Sequence, residues 1–152
     1  MDDNRTLEAL EYRILDISTT QFAVFMSEAE AILDMDQLNM NSSFSYGVDA
    51  AEKLFSSKID IVVYGKDNVP ILKIETRATY KLAEEALKRM IEGASFCMAV
   101  HDVMHFTSIL YGATRGILTC KLEETSLKHF ILPPIDLTKI ITRPLNIQLE
   151  ED

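Results

Sequence analysis

Several features are scarce or missing in this chain, and each absence excludes a class of protein. Only two cysteines occur, Cys97 and Cys120, so no disulfide framework is expected. Lysine and arginine number 15 against 24 acidic residues, and the formal charge of −9 argues against nucleic-acid binding, which needs clustered basic side chains. No run of about 18 apolar residues predicts a membrane span. The start, MDDNRTLEAL, lacks the apolar core of a signal peptide, and a cytoplasmic location is expected.

The remaining composition is that of an ordinary globular protein. Of 152 residues, 47% are hydrophobic and 26% are charged, which suffices for a real core. The sequence contains no internal repeat, low-complexity run or Gly/Ser linker. A single domain covering residues 1–152 is therefore expected.

The first half of the chain alternates apolar and polar residues with the period of two that is typical of strands. The four predicted strands are LEYRILDIS at 10–18, LNMNSSFSYGV at 38–48, FSSKIDIVVY at 55–64 and LKIETRATYKL at 72–82. In the last strand Leu72, Ile74, Ala78, Tyr80 and Leu82 share one face. The turn GKDN joins the last two strands as a hairpin. This pattern predicts an antiparallel sheet with one wet face.

The period then changes to that of helices. AEEALKRMIEG begins like a helix and ends near Gly93, and a longer helix is predicted from Ser95 to about Glu123. Val103, Phe106, Leu110, Ala113, Ile117 and Cys120 recur at spacings of three and four and form a coiled-coil-like seam. The fold class predicted is thus α+β, a four-stranded antiparallel sheet followed by a long helix packed on it.

The long helix is apolar on more than one side, which suggests that a second subunit covers it. Two glycines stand one turn apart, and glycine costs about 1 kcal/mol in a helix interior, so the pair indicates close packing of another backbone. The oligomer interface predicted on these grounds consists of Phe106, Leu110, Gly112, Ala113, Gly116, Ile117 and Cys120.

The motif HDVMH suggests the one enzymatic alternative. His101 and His105 share a helical face at the spacing used by zinc proteases, and Cys97 extends the row by one turn. The second position, however, holds Asp102 instead of the glutamate that serves as general base. The favoured interpretation is a solvated polar stripe, with no metal and no catalysis. A metal-dependent enzyme that uses the two histidines is the alternative.

The order of elements resembles the bacterial export chaperone SecB. The match is most specific over SILYGATRGILTCKLEETSLKHFILPPIDLTKII, and the whole resemblance covers roughly residues 10–141. Ile109-Leu110-Tyr111 stands where the family has Ile/Leu-Leu-Phe, and Arg115 stands where it has the helix arginine. Ile135-Asp136-Leu137 follows the prolines as the family's apolar-polar-apolar segment does. Asp16-Ile17-Ser18 is similar to the family's Asp-Ile-Ser.

This resemblance implies a function in holding unfolded polypeptide without cofactor or catalysis. SecB-like chains assemble as dimers of dimers, and a groove between the sheet edge and the segment after the long helix binds clients. The groove residues implied here are Phe44, Tyr46, Leu127, Phe130, Ile131, Leu132, Ile135 and Leu137, at least half of which also serve the core. Pro133 and Pro134 keep that segment from becoming a helix.

The resemblance also implies a partner. An acidic sheet surface in this family docks the translocation motor SecA, and the carboxylates that match it here are Asp16 and Glu75. Thr19 and Thr20 stand where the family has a further carboxylate, and the family's acidic position on the last strand falls nearest Lys73 or Glu75. AEEALKRMIEG is an addition to the family pattern, and the tail LNIQLEED is too short for a long second helix, which leaves a turn or two near Thr138. A SecB-like chaperone dedicated to one partner, such as an antitoxin, fits the sequence equally well.

Overall fold

The structure is a computed structural model that describes residues 10–25 and 38–150. The acidic start of the chain lies outside the described residues, and the expectation of no signal peptide depends on that stretch. The connection between the first two predicted strands, which is rich in Ala, Glu and Met, also lies outside them. None of the helices within the described ranges is both long and apolar enough to cross a membrane.

The first half of the chain forms the predicted four-stranded antiparallel sheet. Its strands are β1 (Tyr12–Val24), β2 (Asn39–Asp49), β3 (Leu54–Tyr64) and β4 (Pro70–Leu82). Their order in the sheet is β1-β4-β3-β2, so β1 and β2 lie at the two edges. A 3₁₀ turn at Lys66–Asn68 joins β3 to β4, and both Asp67 and Asn68 adopt positive φ there, which these residue types tolerate better than most.

One face of the sheet is dry and the other is wet, as the alternation predicts. Ile74, Ala78 and Tyr80 of β4 are fully buried on the dry face. On the wet face, charged side chains from neighbouring strands pair across the sheet, for example Lys73 Nζ with Asp60 Oδ2 at 3.7 Å. The α+β fold class and the strand faces are therefore confirmed, whereas assembly into dimers of dimers stays a prediction.

The long helix α2 (Val100–Leu122) packs on the dry face. Its buried stripe contains two threonines, and each donates its hydroxyl to a carbonyl one turn earlier: Thr107 to Val103 O and Thr114 to Leu110 O, both at 2.7 Å. Because those hydroxyls are thereby satisfied, threonine is tolerated at core positions. Thr114 Oγ1 also lies 2.7 Å from Thr76 Oγ1 of β4, which joins helix to sheet through a buried polar contact.

The predicted seam of α2 is correct only in its first half. Val103, Phe106 and Leu110 are buried, but Ala113 and Ile117 are half-buried and Cys120 is exposed. A straight helix drifts by about 20° per heptad relative to a seven-residue repeat, so a seam that starts against the sheet turns away from it. The buried stripe instead continues through Thr114, Leu118 and Leu122, and these residues replace the second half of the predicted seam.

A second, smaller sheet was not foreseen from the sequence. Helix α1 (Glu84–Met90) leads into β5 (Ile91–Glu92), and β6 (Ser95–Met98) follows after Gly93, which adopts φ +60° in the turn. The prediction that the long helix begins at Ser95 was therefore wrong, since helix α2 begins five residues later. After the short helix α3 (Leu137–Ile140), which the sequence predicts near Thr138, β7 (Leu145–Gln148) pairs with β6. The order in this sheet is β5-β6-β7.

Aromatic side chains connect the two sheets and the helix. The ring of Phe106 on α2 lies 4.5 Å from that of Tyr80 and 5.1 Å from that of Phe55, centroid to centroid. Phe96 of β6 stacks on Phe55 at 6.0 Å. Each such buried side chain contributes about 1.5–3 kcal/mol relative to an exposed one, so this cluster fixes the small sheet against the large one.

Candidate polypeptide-binding cleft

A cleft of about 360 Å³ opens between the edge strand β2, the first turn of α2 and the chain that joins α3 to β7. Most of its lining is apolar, with a few hydroxyl groups and one guanidinium. The lining residues are Ser42, Ser43, Phe44, Tyr46, Val103, Ile140, Ile141, Thr142, Arg143, Pro144 and Leu145. A volume near the lower end of the range for ligand sites, about 300–1,000 Å³, suits a few side chains of an extended peptide.

The first wall is held in place by Tyr46 of β2. Its ring stacks on Phe55 at 6.0 Å, and its hydroxyl lies 2.6 Å from Thr107 Oγ1. Because Thr107 already donates to Val103 O, the Tyr46 hydroxyl acts as the donor in that pair. Burial raises the pKa of Tyr46 above its usual value, and the hydrogen bond with Thr107 offsets part of that rise. The phenol therefore stays neutral and fixed at physiological pH.

The second wall is held between α3 and β7. The Asp136 carboxylate caps α3 by accepting hydrogen bonds from the Thr138 amide at 3.0 Å and from its hydroxyl at 2.5 Å. At the other end, Leu145 of β7 pairs with Met98 of β6. Only four residues, 141–144, join α3 to β7, so the path of this wall is restricted at both ends.

The outer edge of β2 borders the cleft. No strand in the described ranges pairs with that edge, and β2 keeps a continuous register with β3 over its 11 residues. Its sequence, NMNSSFSYGVD, contains neither lysine nor proline, the residues that commonly protect an edge. By contrast, β1 has register shifts between Ile14 and Asp16 and between Thr19 and Gln21. Of the two edges, β2 is thus the regular one that another strand can join.

The structure brings only part of the predicted groove to this cleft. Phe44 and Tyr46 line it, but the residues expected on the opposite wall do not. Three of them are buried in the core, and their exposed fractions are 3% for Leu127, 6% for Phe130 and 1% for Leu132. Ile131 is exposed but lies outside the cleft lining, and Ile135 and Leu137 are half-buried.

Two side chains of α2 hold the Pro-containing segment against the helix. The Arg115 Nε donates to Leu132 O at 2.9 Å, and the Tyr111 hydroxyl donates to Pro133 O. Burial raises the pKa of Tyr111, and the nearby Arg115 charge opposes that rise. These two hydrogen bonds hold the segment over the core, where Phe130 and Leu132 are buried. The cleft wall comes from the next stretch, residues 140–145, whose signal in the sequence is the Arg-Pro pair after two isoleucines.

The predicted oligomer interface is divided between core and surface. Phe106 and Leu110 have 0% exposure under the sheet, which removes them from any surface that a second subunit can reach. Gly112, Gly116 and Cys120 are exposed on α2, and Ala113 and Ile117 are half-buried. Apart from the backbone of the helix itself, an added Cβ at either glycine would meet no atom of the described residues within 4 Å. The predicted helical interface is therefore limited to the residues that are not in the core, which are Gly112, Ala113, Gly116, Ile117 and Cys120.

The two carboxylates expected to dock a motor protein differ in their surroundings. Asp16 is exposed on β1, whereas the Glu75 side chain is only 12% exposed on central β4. Glu75 accepts a hydrogen bond from Thr20 Oγ1 at 2.8 Å and pairs with Lys58 Nζ at 3.6 Å. Glu75 thus contributes to the sheet's own polar network, and Asp16 is the more accessible of the two.

The histidine row does not form a metal-binding cluster among the residues that the structure describes. Within those residues, no group of three or more His, Cys, Asp or Glu side chains is placed to hold a metal ion. His101 lies 3.5 Å from Asp102 through Nδ1, and the His105 Nε2 shares a hydrogen bond of 2.7 Å with the Tyr12 hydroxyl. Cys97 lies on β6 and not on the helix, which corrects its placement as a third member of the row.

Comparisons with known proteins support the fold. No protein-family profile matches the chain, and no curated protein matches it by sequence. Among solved structures, it is similar to the Mycobacterium tuberculosis Rv1957 SecB-like chaperone in complex with a ChAD peptide from the Rv1956 HigA1 antitoxin. That similarity has a TM-score of 0.51 at 17% sequence identity and covers 82% of this chain and 90% of the other. The resemblance to SecB-like chaperones is therefore confirmed at the level of the fold.

Proposed function

We propose that this protein is an ATP-independent chaperone that holds unfolded polypeptide in the cleft between β2 and residues 140–145. The observation that carries the proposal is the position of a mostly apolar cleft beside a regular, unprotected strand edge. The SecB-like fold supports it, because a solved chaperone with that fold is bound to a peptide. Under this proposal the protein is one domain over residues 1–152, acts in the cytoplasm and assembles as a dimer of dimers.

An unfolded segment can both pair with the edge of β2 and fill the apolar cleft. Its backbone supplies donors and acceptors that extend the sheet at β2, and its alternate side chains enter the cleft. Each fully buried apolar side chain contributes about 1.5–3 kcal/mol before the cost of ordering the client is subtracted. Capture by burial and backbone pairing has a favourable free energy of its own, so binding needs no nucleotide hydrolysis.

A version of this function dedicated to one partner is the second candidate. The observation that favours it is the antitoxin peptide in the solved SecB-like chaperone. A role in export, with SecA docked at Asp16 and Glu75, is a third version, and the involvement of Glu75 with Lys58 and Thr20 makes it the least supported. Competition among unrelated unfolded peptides separates these versions, since a dedicated chaperone binds one of them far more tightly than the rest.

Two exposed isoleucines provide a matched test of where clients bind. Ile140 lines the cleft and is 45% exposed, whereas Ile131 lies outside it and is 63% exposed. Ile140→Ser should weaken binding of an unfolded peptide about three- to tenfold, because it removes part of one apolar contact. Ile131→Ser should leave affinity unchanged. Fluorescence anisotropy with a labelled peptide measures both variants, and aggregation assays with an unfolded client follow the same order.

The opposite result would place the groove elsewhere. If Ile131→Ser weakens binding and Ile140→Ser does not, clients occupy the segment after α2, as the family resemblance implies. If the parent protein neither binds unfolded peptides nor slows aggregation, the proposed function is wrong.

Backbone pairing at β2 has its own test, which leaves the protein unchanged. Peptides methylated on alternate backbone nitrogens lose the donors of one strand edge but keep their side chains. One of the two alternate methylation patterns should reduce affinity strongly, while the other should have little effect, because only every second residue of a strand faces a given neighbour. Equal affinity for both patterns and for the unmethylated peptide would exclude strand addition.

A further inference from the structure

Among the described residues that line the cleft, Arg143 is the only charged one. In the part of the chain that the structure describes, its guanidinium has neither an ion pair nor a hydrogen bond. The side chain is exposed, and its charge is therefore available to a ligand in the cleft. Ser42, Ser43 and Thr142 add hydroxyl groups around the cleft.

The neighbouring residues restrict the backbone conformation of Arg143. Proline at position 144 confines the backbone of the preceding residue to the extended region, and β7 begins one residue later at Leu145. The guanidinium carries donors in a planar fork that matches a carboxylate in two parallel hydrogen bonds. The apolar residues Ile141 and Pro144 line the cleft beside it, so a carboxylate that pairs with Arg143 would have apolar contacts next to it.

We propose that Arg143 makes the cleft selective for segments in which a carboxylate is flanked by apolar residues. The inference rests on the proposed function, since it concerns the same cleft. The carboxylate comes either from an Asp or Glu side chain or from the free carboxyl terminus of a client. Both sources present the same two oxygens to the guanidinium.

The charge of the whole chain distinguishes this contact from general attraction. A net charge of −9 repels acidic peptides at long range and favours basic ones. Selection for a carboxylate is therefore a short-range effect that depends on where the carboxylate stands in the peptide. Peptides of identical composition separate the two effects, because their net charges are equal.

The experiment uses three labelled peptides as long as β2, which has 11 residues. The first has Glu between two leucines at its centre, Gln near its end and an amidated carboxyl terminus. The second exchanges that Glu and Gln. The third has Gln at both positions and a free carboxyl terminus directly after a leucine pair. The first should bind the parent about three- to tenfold more tightly than the second, as expected for a partly exposed charge-assisted pair.

Variants assign the preference to one side chain. Arg143→Gln should abolish it, and Arg143→Glu should reverse it toward a peptide with Lys at the centre. Lys139→Gln is the matched control, since Lys139 is exposed on α3 and carries the same charge but does not line the cleft. It should leave the preference intact. The preference of the parent should also decrease at 1 M salt, where charges on the surface are screened.

Each outcome has a distinct meaning. Equal binding of the first two peptides, with both sensitive to Ile140→Ser, overturns the selectivity of Arg143 and leaves the proposed function standing. A preference that survives Arg143→Gln assigns it to another group and overturns the inference as well. Tight binding of the third peptide identifies the carboxyl terminus as a source of the carboxylate and supports the inference. Failure of all three peptides, together with no effect on aggregation, overturns the proposed function itself.

Discussion

At the scale of single residues, Tyr111 and Arg115 determine the path of the chain after α2. Each donates to a carbonyl of the Pro-containing segment, one to Pro133 and the other to Leu132. A segment with two prolines cannot form helical hydrogen bonds of its own, so these side chains supply donors that its backbone lacks. Phe130 and Leu132 of the segment are buried in the core, whereas Ile131 between them is exposed.

Removing one of these donors should lower stability without changing the fold. Tyr111→Phe is expected to reduce the free energy of unfolding by about 1 kcal/mol, the net contribution of a typical hydrogen bond. Tyr64→Phe is the control, because the hydroxyl of Tyr64 on β3 has no hydrogen-bond partner in the described structure. Urea denaturation measures both changes. Equal stability of the two variants would mean that water replaces the Tyr111 hydroxyl at no cost.

At the scale of elements, the sequence predicted what local periodicity controls. The four strands and their faces follow from alternation, and Leu72, Ile74 and Tyr80 are buried as expected. Of the groove residues that the family resemblance implies, only Phe44 and Tyr46 line the cleft. Its other wall depends on β7, whose partner β6 precedes it by about fifty residues. Four residues of alternation in SFCM are too few to distinguish a strand from the start of a helix without that distant partner.

The small sheet should be needed for the cleft wall. Ile147→Pro in β7 removes a backbone donor opposite Phe96, and a misplaced proline costs about 3 kcal/mol or more. We expect the variant to lose peptide binding while circular dichroism still shows the main sheet and α2. Asn146→Ala, at the neighbouring exposed position, should bind peptide like the parent. Full binding by Ile147→Pro would show that residues 140–145 hold their position without β7.

At the scale of the whole molecule, the outward side of α2 is the surface on which the predicted assembly would depend. Gly112 and Gly116 leave open space there, and Ile117 is half-buried beside them. A second subunit that packs on this surface would bury Ile117 and approach closely at the two glycines. The assembly itself stays a prediction.

A charge at the centre of this surface should separate the subunits. Ile117→Asp would bury an unpaired carboxylate in the interface, which costs several kcal/mol. Light scattering should therefore show a smaller species than the parent at micromolar concentration. His129→Asp adds the same charge at an exposed position beyond the helix and should leave the mass unchanged. A parent protein that is already a monomer would contradict the predicted assembly.

The two walls of the cleft lie almost one hundred positions apart, which has a consequence for synthesis. Residues 42–46 leave the ribosome long before residues 140–145. At about 5–20 residues per second, β2 waits roughly 5–20 s for the chain that completes the site. Until then the edge of β2 lacks the opposite wall of the cleft. Nascent chains on neighbouring ribosomes of the same messenger RNA can pair with that edge. Slow translation of the second half of the gene should therefore increase co-translational aggregation of this protein more than slow translation of the first.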